Sequence, residues 1–450
     1  MAFADIILSE TDKDIILVDR YPKPGGHWNV AYPYVTLHQP SQYYGVSSKE
    51  LSSGLKDQIG LNKGLSDLAS GQAVSAYYDD VMRHQFLPSG RVQYFPMCNF
   101  LGDGRFVCML SGKTYTVDHQ KMVDATWLKT SVPSTHKPNF KVEDGVNFIP
   151  LNDLTKITKA PDGYVVIGAG KTGIDAVLWL LENRVDPDNI RWIMPRDAWL
   201  LDRKNTQPSE AFFENTMGAQ ASQFEAIIAS KSIEDMFNRL EDCGYFLRID
   251  KNVRPKMFHG ATISKMEVEE LRRVKQVIRL GRVQRITKTE IILDQGIIPT
   301  RADIIHVDCS ARAVSNEEIK PVFEGKLITP QMVRSYQPVF SAAAIAHVEA
   351  AYEDEDEKNR LCGVVPLPNH DTDYIRFTAA FMMNQYNWGQ DRGMRHWLLD
   401  NRLDGFSKMA ANVDPEDADK IAILKRIRKS APMAAMKLQQ YLSQLERPTG

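Results

Sequence analysis

A single turn limits what this chain can fold into. Tyr164-Val165-Val166-Ile167 is an apolar, β-branched run, and Gly168-Ala169-Gly170-Lys171-Thr172-Gly173 follows at once. A helical apolar pattern then runs from Ile174 to Asn183, and Ile190-Arg191-Trp192-Ile193-Met194 is a second apolar run. G-x-G-x-x-G alone is a weak signal. Between a strand and a helix, with another strand about 20 residues on, it marks a βαβ unit whose turn can cradle a pyrophosphate. The first glycine permits the tight turn, the second lets backbone approach the phosphates, and the third lets helix and strand pack closely. The helix start adds unpaired N–H groups and partial positive charge. Gly168, Gly170, Lys171, Thr172 and Gly173 are therefore the candidate residues for a nicotinamide dinucleotide. The plain alternative is a tight strand–helix turn without a ligand.

The second strand ends at Met194-Pro195-Arg196-Asp197. An acid there would bond a ribose 2′-hydroxyl and select NAD, whereas an arginine would meet a 2′-phosphate. Arg196 tips the expectation toward NADP, and Asp197 keeps NAD as the alternative.

The N-terminus reads as the second half of another such unit. Residues 1–10 form an amphipathic helical pattern, and Ile15-Ile16-Leu17-Val18 is a strand ending in Asp19-Arg20. In a dinucleotide unit the acid lies about 20 residues beyond the glycine turn. Counting back from Asp19 passes residue 1, so the reading expects a first strand and glycine loop upstream of this sequence. The alternative is an ordinary surface aspartate. Residues 21–45 follow as a long loop rich in Pro, Gly and aromatic side chains, of the kind that carries function.

Composition narrows the class. Lys plus Arg is 55 and Asp plus Glu is 57, so the net charge of −2 gives no reason to expect nucleic acid. The five cysteines form no C-x-x-C, which argues against a disulfide scaffold or a zinc cage, and no metal is expected. No run approaches the roughly 18 apolar residues of a membrane span. A cytoplasmic protein is expected.

With these residues in place, Asp19-Arg20-Tyr21-Pro22-Lys23-Pro24-Gly25-Gly26-His27-Trp28 resembles the flavin-containing monooxygenase superfamily and related FAD/NAD(P)-dependent oxidoreductases. There an acidic strand end is followed by a Gly-Gly-x-Trp turn. Tyr32-Pro33, Leu37 and Pro40-Ser41 resemble the stretch that follows in those enzymes. Asp124-Ala125-Thr126 and Val307-Asp308-Cys309-Ser310-Ala311 resemble two of their strand ends. The likeness spans roughly residues 1–345. It departs from the family's Phe-x-Gly-x-x-x-His motif, because Phe148-Ile149-Pro150-Leu151-Asn152-Asp153-Leu154 keeps only the phenylalanine.

The resemblance implies an α/β fold with two Rossmann-like dinucleotide-binding domains and a C-terminal helical segment. The FAD domain would be discontinuous, with the NAD(P) domain inserted. The implied division is 1–127 and 313–372 for FAD, 128–312 for NAD(P) with a helical insertion at about 209–280 shaping a substrate pocket, and 373–450 for the helices. Asp19, Arg20, Gly25, Gly26, His27, Trp28 and Thr126 would bind FAD. His38 and Gln39 would reach the flavin ring or substrate. The implied activity is NADPH-dependent oxygenation of a small organic substrate with molecular oxygen, and a homo-oligomer is compatible with it. A flavoprotein reductase or dehydrogenase that does not oxygenate, and a non-catalytic NADP-binding protein, are the alternatives.

Overall fold

A computed structural model describes residues 1–129, 131–311 and 318–446. Its centre is a parallel sheet in the order Phe148–Pro150, Ile304–Asp308, Gly163–Ile167, Ile190–Ile193, Gln276–Ile278. The strand feeding the glycine turn has neighbours on both sides, and Val165, Val166 and Ile167 are buried. Burial on both faces is why it reads as a continuous apolar run. The helix Lys171–Glu182 covers one face, where Ile174, Val177 and Leu181 join a core with Val166, Trp192 and Val307. On the other face an antiparallel meander, Val283–Ile286, Glu290–Leu293 and Gly296–Pro299, closes over Val165, Ile167 and Ile193. This is the mixed α/β architecture that the motif order predicts.

The opening helix is Ala2–Glu10 and its strand Ile15–Val18 pairs in parallel with Val92–Phe95. The helix packs Ala2, Ile6 and Ile7 against Phe340, Ala343 and Ala344 of the helix Pro338–Ala351. Trp397 Nε1 donates to Glu10 at 3.0 Å, and Met122–Val123 pairs with Leu327–Ile328. Arg402 donates to the carbonyls of Gln42, Tyr44, Val46 and Lys49. The opening helix, residues 42–49 and the strand Met122–Val123 are thus held by residues 322–403.

Residues 209–280 contain the helices Phe213–Ala229 and Ile233–Asp242. Their interior is an aromatic cluster of Trp199, Phe237, Phe246, Phe258 and Tyr374. The long helix Ala418–Leu445 lies against Phe213–Ala229 and buries Ala434, Leu438 and Tyr441. Among the described residues no helix is long and apolar enough to cross a membrane.

Four local readings of the sequence are corrected: a helix over residues 65–88, a strand over residues 121–126, a helix start at Asp414 and a solvated acidic loop at 353–357. The helix expected over residues 65–88 is Gly71–Val81, continued by a wider turn at Met82–Phe86. The strand expected over residues 121–126 is only Met122–Val123, because Asp124 turns the chain by accepting the Thr126 N–H. The helix start expected at Asp414 falls at Asp417, whose carboxylate accepts the Lys420 N–H; Asp414 instead accepts from Glu416 in the preceding turn. The acidic run 353–357 is not a loop throughout. Asp354 caps the helix Glu355–Leu361, whose first turn holds Glu355, Asp356 and Glu357, where the helix dipole favours them. The domain boundary expected at 312–313 and residues 447–450 lie outside the described residues.

Candidate dinucleotide site

The three glycines of the turn have different surroundings. Gly168 has φ +134°, and a Cβ there would overlap the carbonyl oxygen of Cys309. A Cβ on Gly173 would overlap the carbonyl oxygen of Gly168, which also accepts the Trp192 Nε1–H at 2.7 Å. These two are demanded by the chain itself. Gly170 is extended (φ −79°, ψ −179°) and a Cβ there would meet no atom within 4 Å. It is the N-cap of Lys171–Glu182 and supplies no side-chain cap, so the first-turn N–H groups remain available to an anion. Structure and packing account for the first and third glycines, and the open face of the second is what a pyrophosphate needs.

The aromatic loop is strapped onto this helix. Tyr32 donates to Asp175 Oδ2 at 2.5 Å, and Asp175 also holds Lys171 Nζ. Tyr34 stacks on Trp179 with centroids 4.7 Å apart. Burial, with the adjacent Asp175 charge, pushes the Tyr32 hydroxyl well above its ordinary range, so it remains a donor. Asn152 and Ser134 both donate to the carbonyl of Val30. The loop that the sequence placed with Asp19 therefore lies on the helix of the glycine turn.

Beneath the strap is a buried charge cluster that sequence reasoning missed. Arg203 is 1% exposed; it pairs with Glu267 at 2.8 Å and donates to the His38 carbonyl, Asn62 Oδ1 and the Thr262 carbonyl. Burial opposes ionisation of Glu267, yet the charges of Arg203 and Lys171 hold its carboxyl below the usual range. Glu267 also closes a capping box with Ser264. The pattern Ser264-Lys265-Met266-Glu267 is the sequence signal that marks that helix start; no local signal marks Arg203. His38 is pushed well below the ordinary histidine range by burial and then by Lys171 and Arg203, so its ring is neutral at pH 7. Gln39 beside it is half-buried.

At the tip of the second strand the two candidates separate. Asp197 is buried and held by Arg279 through two bonds of 2.8 and 2.9 Å. Arg196 donates to Asn369 Oδ1 at 2.8 Å and to His370 Nδ1 at 3.4 Å, while His259 also meets Asn369 Oδ1 at 3.1 Å. The Asn369-His370-Asp371 stretch is a polar loop before the helix Asp373–Gln390, and it meets this strand end.

Of the remaining candidates, Asp19 and Arg20 follow the strand Ile15–Val18, and the others lie in the loop after it and at residue 126. Asp19 is half-buried and accepts the Tyr21 N–H; burial raises its carboxyl. Arg20 is exposed. Gly25 and Gly26 have φ +117° and +56°, so the Gly-Gly pair is required by conformation. His27 stacks on Trp28, whose Nε1 donates to Tyr44 at 2.8 Å. Thr126 is exposed and bonds to Asp124. Two shallow hollows of about 530 and 270 Å³ lie at the opposite end of the central sheet, where strands begin. Ligands of open α/β sheets bind at the other end. Among the described residues, no group of three or more His, Cys, Asp or Glu side chains is placed to hold a metal.

Burial holds His27, His38 and His306 below their ordinary value of 6.5. As pH falls past 6.5 the unfolded chain takes up protons that the folded chain refuses, so stability is full above 6.5 and is lost below it. We expect the unfolding free energy in urea to fall between pH 6.5 and 5.5 at up to about 1.4 kcal/mol per pH unit for each histidine. A free energy unchanged to pH 5.5 would contradict this.

Fold and turn together define an α/β protein with a Rossmann-type glycine turn. The chain is 46% identical over 404 residues to the uncharacterized proteins Rv2000 of Mycobacterium tuberculosis and Mb2023 of Mycobacterium bovis, covering 90% of this chain and 75% of each relative. It belongs to the family of these mycobacterial proteins. No family model matches it. Solved structures with a distant likeness include a flavin-containing monooxygenase from Stenotrophomonas maltophilia. That likeness is 11% identical with a TM-score of 0.43, covering 78% of this chain and 93% of the other. Another is the HOCl-induced flavoprotein disulfide reductase RclA from Escherichia coli, 9% identical with a TM-score of 0.31, covering 64% and 58%.

Proposed function

We propose that the protein is an NADPH-dependent flavoprotein oxidoreductase acting on a small organic substrate, with molecular oxygen as the final acceptor. The observation that carries this reading is the open face of Gly170 at an uncapped helix start, beneath an aromatic loop anchored to that same helix. When bound, NADPH supplies a hydride and FAD accepts it and passes the electrons on.

The chain's own residues bind, orient and exclude water. Backbone N–H groups after Gly168 and Gly170, with Lys171 and Thr172, hold the pyrophosphate, and Gly173 keeps the helix close to its strand. Arg196 meets the 2′-phosphate, a role favoured by the commitment of Asp197 to Arg279. His38, neutral at pH 7, and Gln39 offer hydrogen bonds at the reacting end without adding charge. Asp19 receives the FAD ribose, and Arg20, Gly25, Gly26, His27, Trp28 and Thr126 line that side.

A second reading is an NADP-binding protein without flavin, favoured by the open face of Gly170, which accounts for one dinucleotide without calling on Asp19. An absorbance spectrum of the chain before and after incubation with FAD separates the two. Retained flavin bands followed by NADPH oxidation support the oxidoreductase. A colourless protein that still binds NADPH supports the second reading. Product analysis then divides oxygenated substrate from peroxide alone.

Arg196→Gln is expected to weaken NADPH about tenfold while leaving NADH unchanged, since a charge-assisted bond of about 1.5–3 kcal/mol is lost only with the phosphorylated cofactor. Equal loss for both cofactors, by fluorescence titration, would remove Arg196 from the phosphate site.

A further inference from the structure

The hairpin next to Asp19 carries two cysteines in direct register. Cys98 begins the strand Cys98–Gly102, Cys108 ends the strand Arg105–Cys108, and the two are paired residues of the antiparallel ladder. Their backbones do not bond each other: the Cys98 N–H donates to Asp19, the Cys108 N–H to Lys113, and the flanking Met109 N–H to Met97. Theirs is therefore a non-hydrogen-bonded pair, the closer of the two antiparallel spacings, with Cα atoms about 4.5 Å apart and side chains on the same face. That separation is within the range a disulfide spans.

The two facing thiols are also unequal. Cys98 is buried, and burial together with its neighbour raises its thiol. Cys108 is half-buried; the Ser111 hydroxyl, the N–H groups of Ser111 and Leu110, and the Cys98 thiol bring it down to about 7. Cys108 is therefore the readier thiolate of the two. The turn that stabilises this charge is open to solvent, with Leu110 78% exposed. The arrangement is that of a nucleophile with its resolving partner.

We propose that Cys98 and Cys108 form a reversible redox modification site, oxidised to an intrachain disulfide by hydrogen peroxide and reduced again by a low-molecular-weight thiol. The Cys108 thiolate attacks the peroxide oxygen, an S–O bond forms, the O–O bond breaks, and the departing hydroxide takes up a proton to give water. The Cys98 sulfur then attacks the sulfenic sulfur. The S–S bond forms, the S–O bond breaks, and the hydroxyl leaves with the Cys98 proton as a second water. Two thiols lose two electrons and one peroxide gains them. Two equivalents of thiol reverse the change by exchange. The site is independent of the nicotinamide reading. It bears on the same strand end, because the Cys98 and Met97 N–H groups hold the carbonyls of Asp19 and Tyr21.

The test uses the full 450-residue chain, hydrogen peroxide as probe and rapid alkylation. Arg105 lies between the two cysteines, so trypsin separates residues 92–105 from 106–113. The expected result is a linked pair of these two peptides, a fall from five alkylatable thiols to three in denaturant, and full recovery with dithiothreitol. Cys98→Ala should leave a sulfenic acid on Cys108 that dimedone traps. Cys108→Ser, at a half-exposed site, should abolish peroxide consumption by the hairpin. Oxidation confined to the exposed Cys243, or two hairpin thiols that remain alkylatable after peroxide, would overturn the proposal.

Discussion

Gly170→Ala is expected to leave the protein as stable as the parent while weakening NADPH binding at least tenfold, about 1.4 kcal/mol. Its backbone is in an ordinary extended region and a Cβ would meet only open space. Alanine is a poorer N-cap than glycine by about 0.5 kcal/mol, but it restricts the unfolded chain by a similar amount, so the two effects cancel. The added methyl occupies the face that a pyrophosphate would approach. Gly168→Ala and Gly173→Ala behave differently, because each new Cβ would overlap a backbone carbonyl oxygen that cannot swing aside. Both should lose about 1–3 kcal/mol or more of stability along with binding. Urea denaturation and calorimetric titration of the three variants check this. Parent-like binding by Gly170→Ala would mean that the turn holds no phosphate.

The second large effect is at Arg203. Arg203→Met removes the partner of a buried carboxylate and three further hydrogen bonds that join the aromatic loop, residue 62 and the strand Met257–Ile263. An unpaired buried charge costs about 3–5 kcal/mol. Arg203→Met/Glu267→Gln should recover part of that loss, because glutamine leaves no orphan charge and still accepts the Ser264 N–H. A loss below about 1 kcal/mol in the single variant, by urea midpoint, would show that water reaches this cluster.

What the sequence made legible was local. The glycine turn was readable because its strand, helix and second strand lie within 30 residues, and periodicity changes from two to 3.6 across it. The helix and strand before Asp19 were readable for the same reason. What escaped were partnerships across the chain. Tyr32 and Asp175 are 143 positions apart, and Arg203 and Glu267 are 64 apart. The choice between Arg196 and Asp197 turned on Arg279, 82 positions from the acid. No spacing rule encodes such pairs, since they arise only when separate elements pack. At the helix starts the residue types were right, but Asp414 and Asp417 are equally good caps by composition, and only the fold chose between them.

The docking of Ala2–Glu10 has a consequence for synthesis. Its apolar face is covered by Pro338–Ala351, and Glu10 is held by Trp397. Made before every other described element, this helix is among the last of them to be covered. At about 5–20 residues per second, nearly four hundred further residues take roughly 20–80 seconds to emerge. Throughout that interval Ile6 and Ile7 lack the helix that covers them, whereas the strand Ile15–Val18 waits only for Val92–Phe95. The Rossmann-type sheet, whose strands all lie between residues 148 and 308, is complete well before then. It would form first, and the helix Ala2–Glu10 would dock only after residue 397 has emerged.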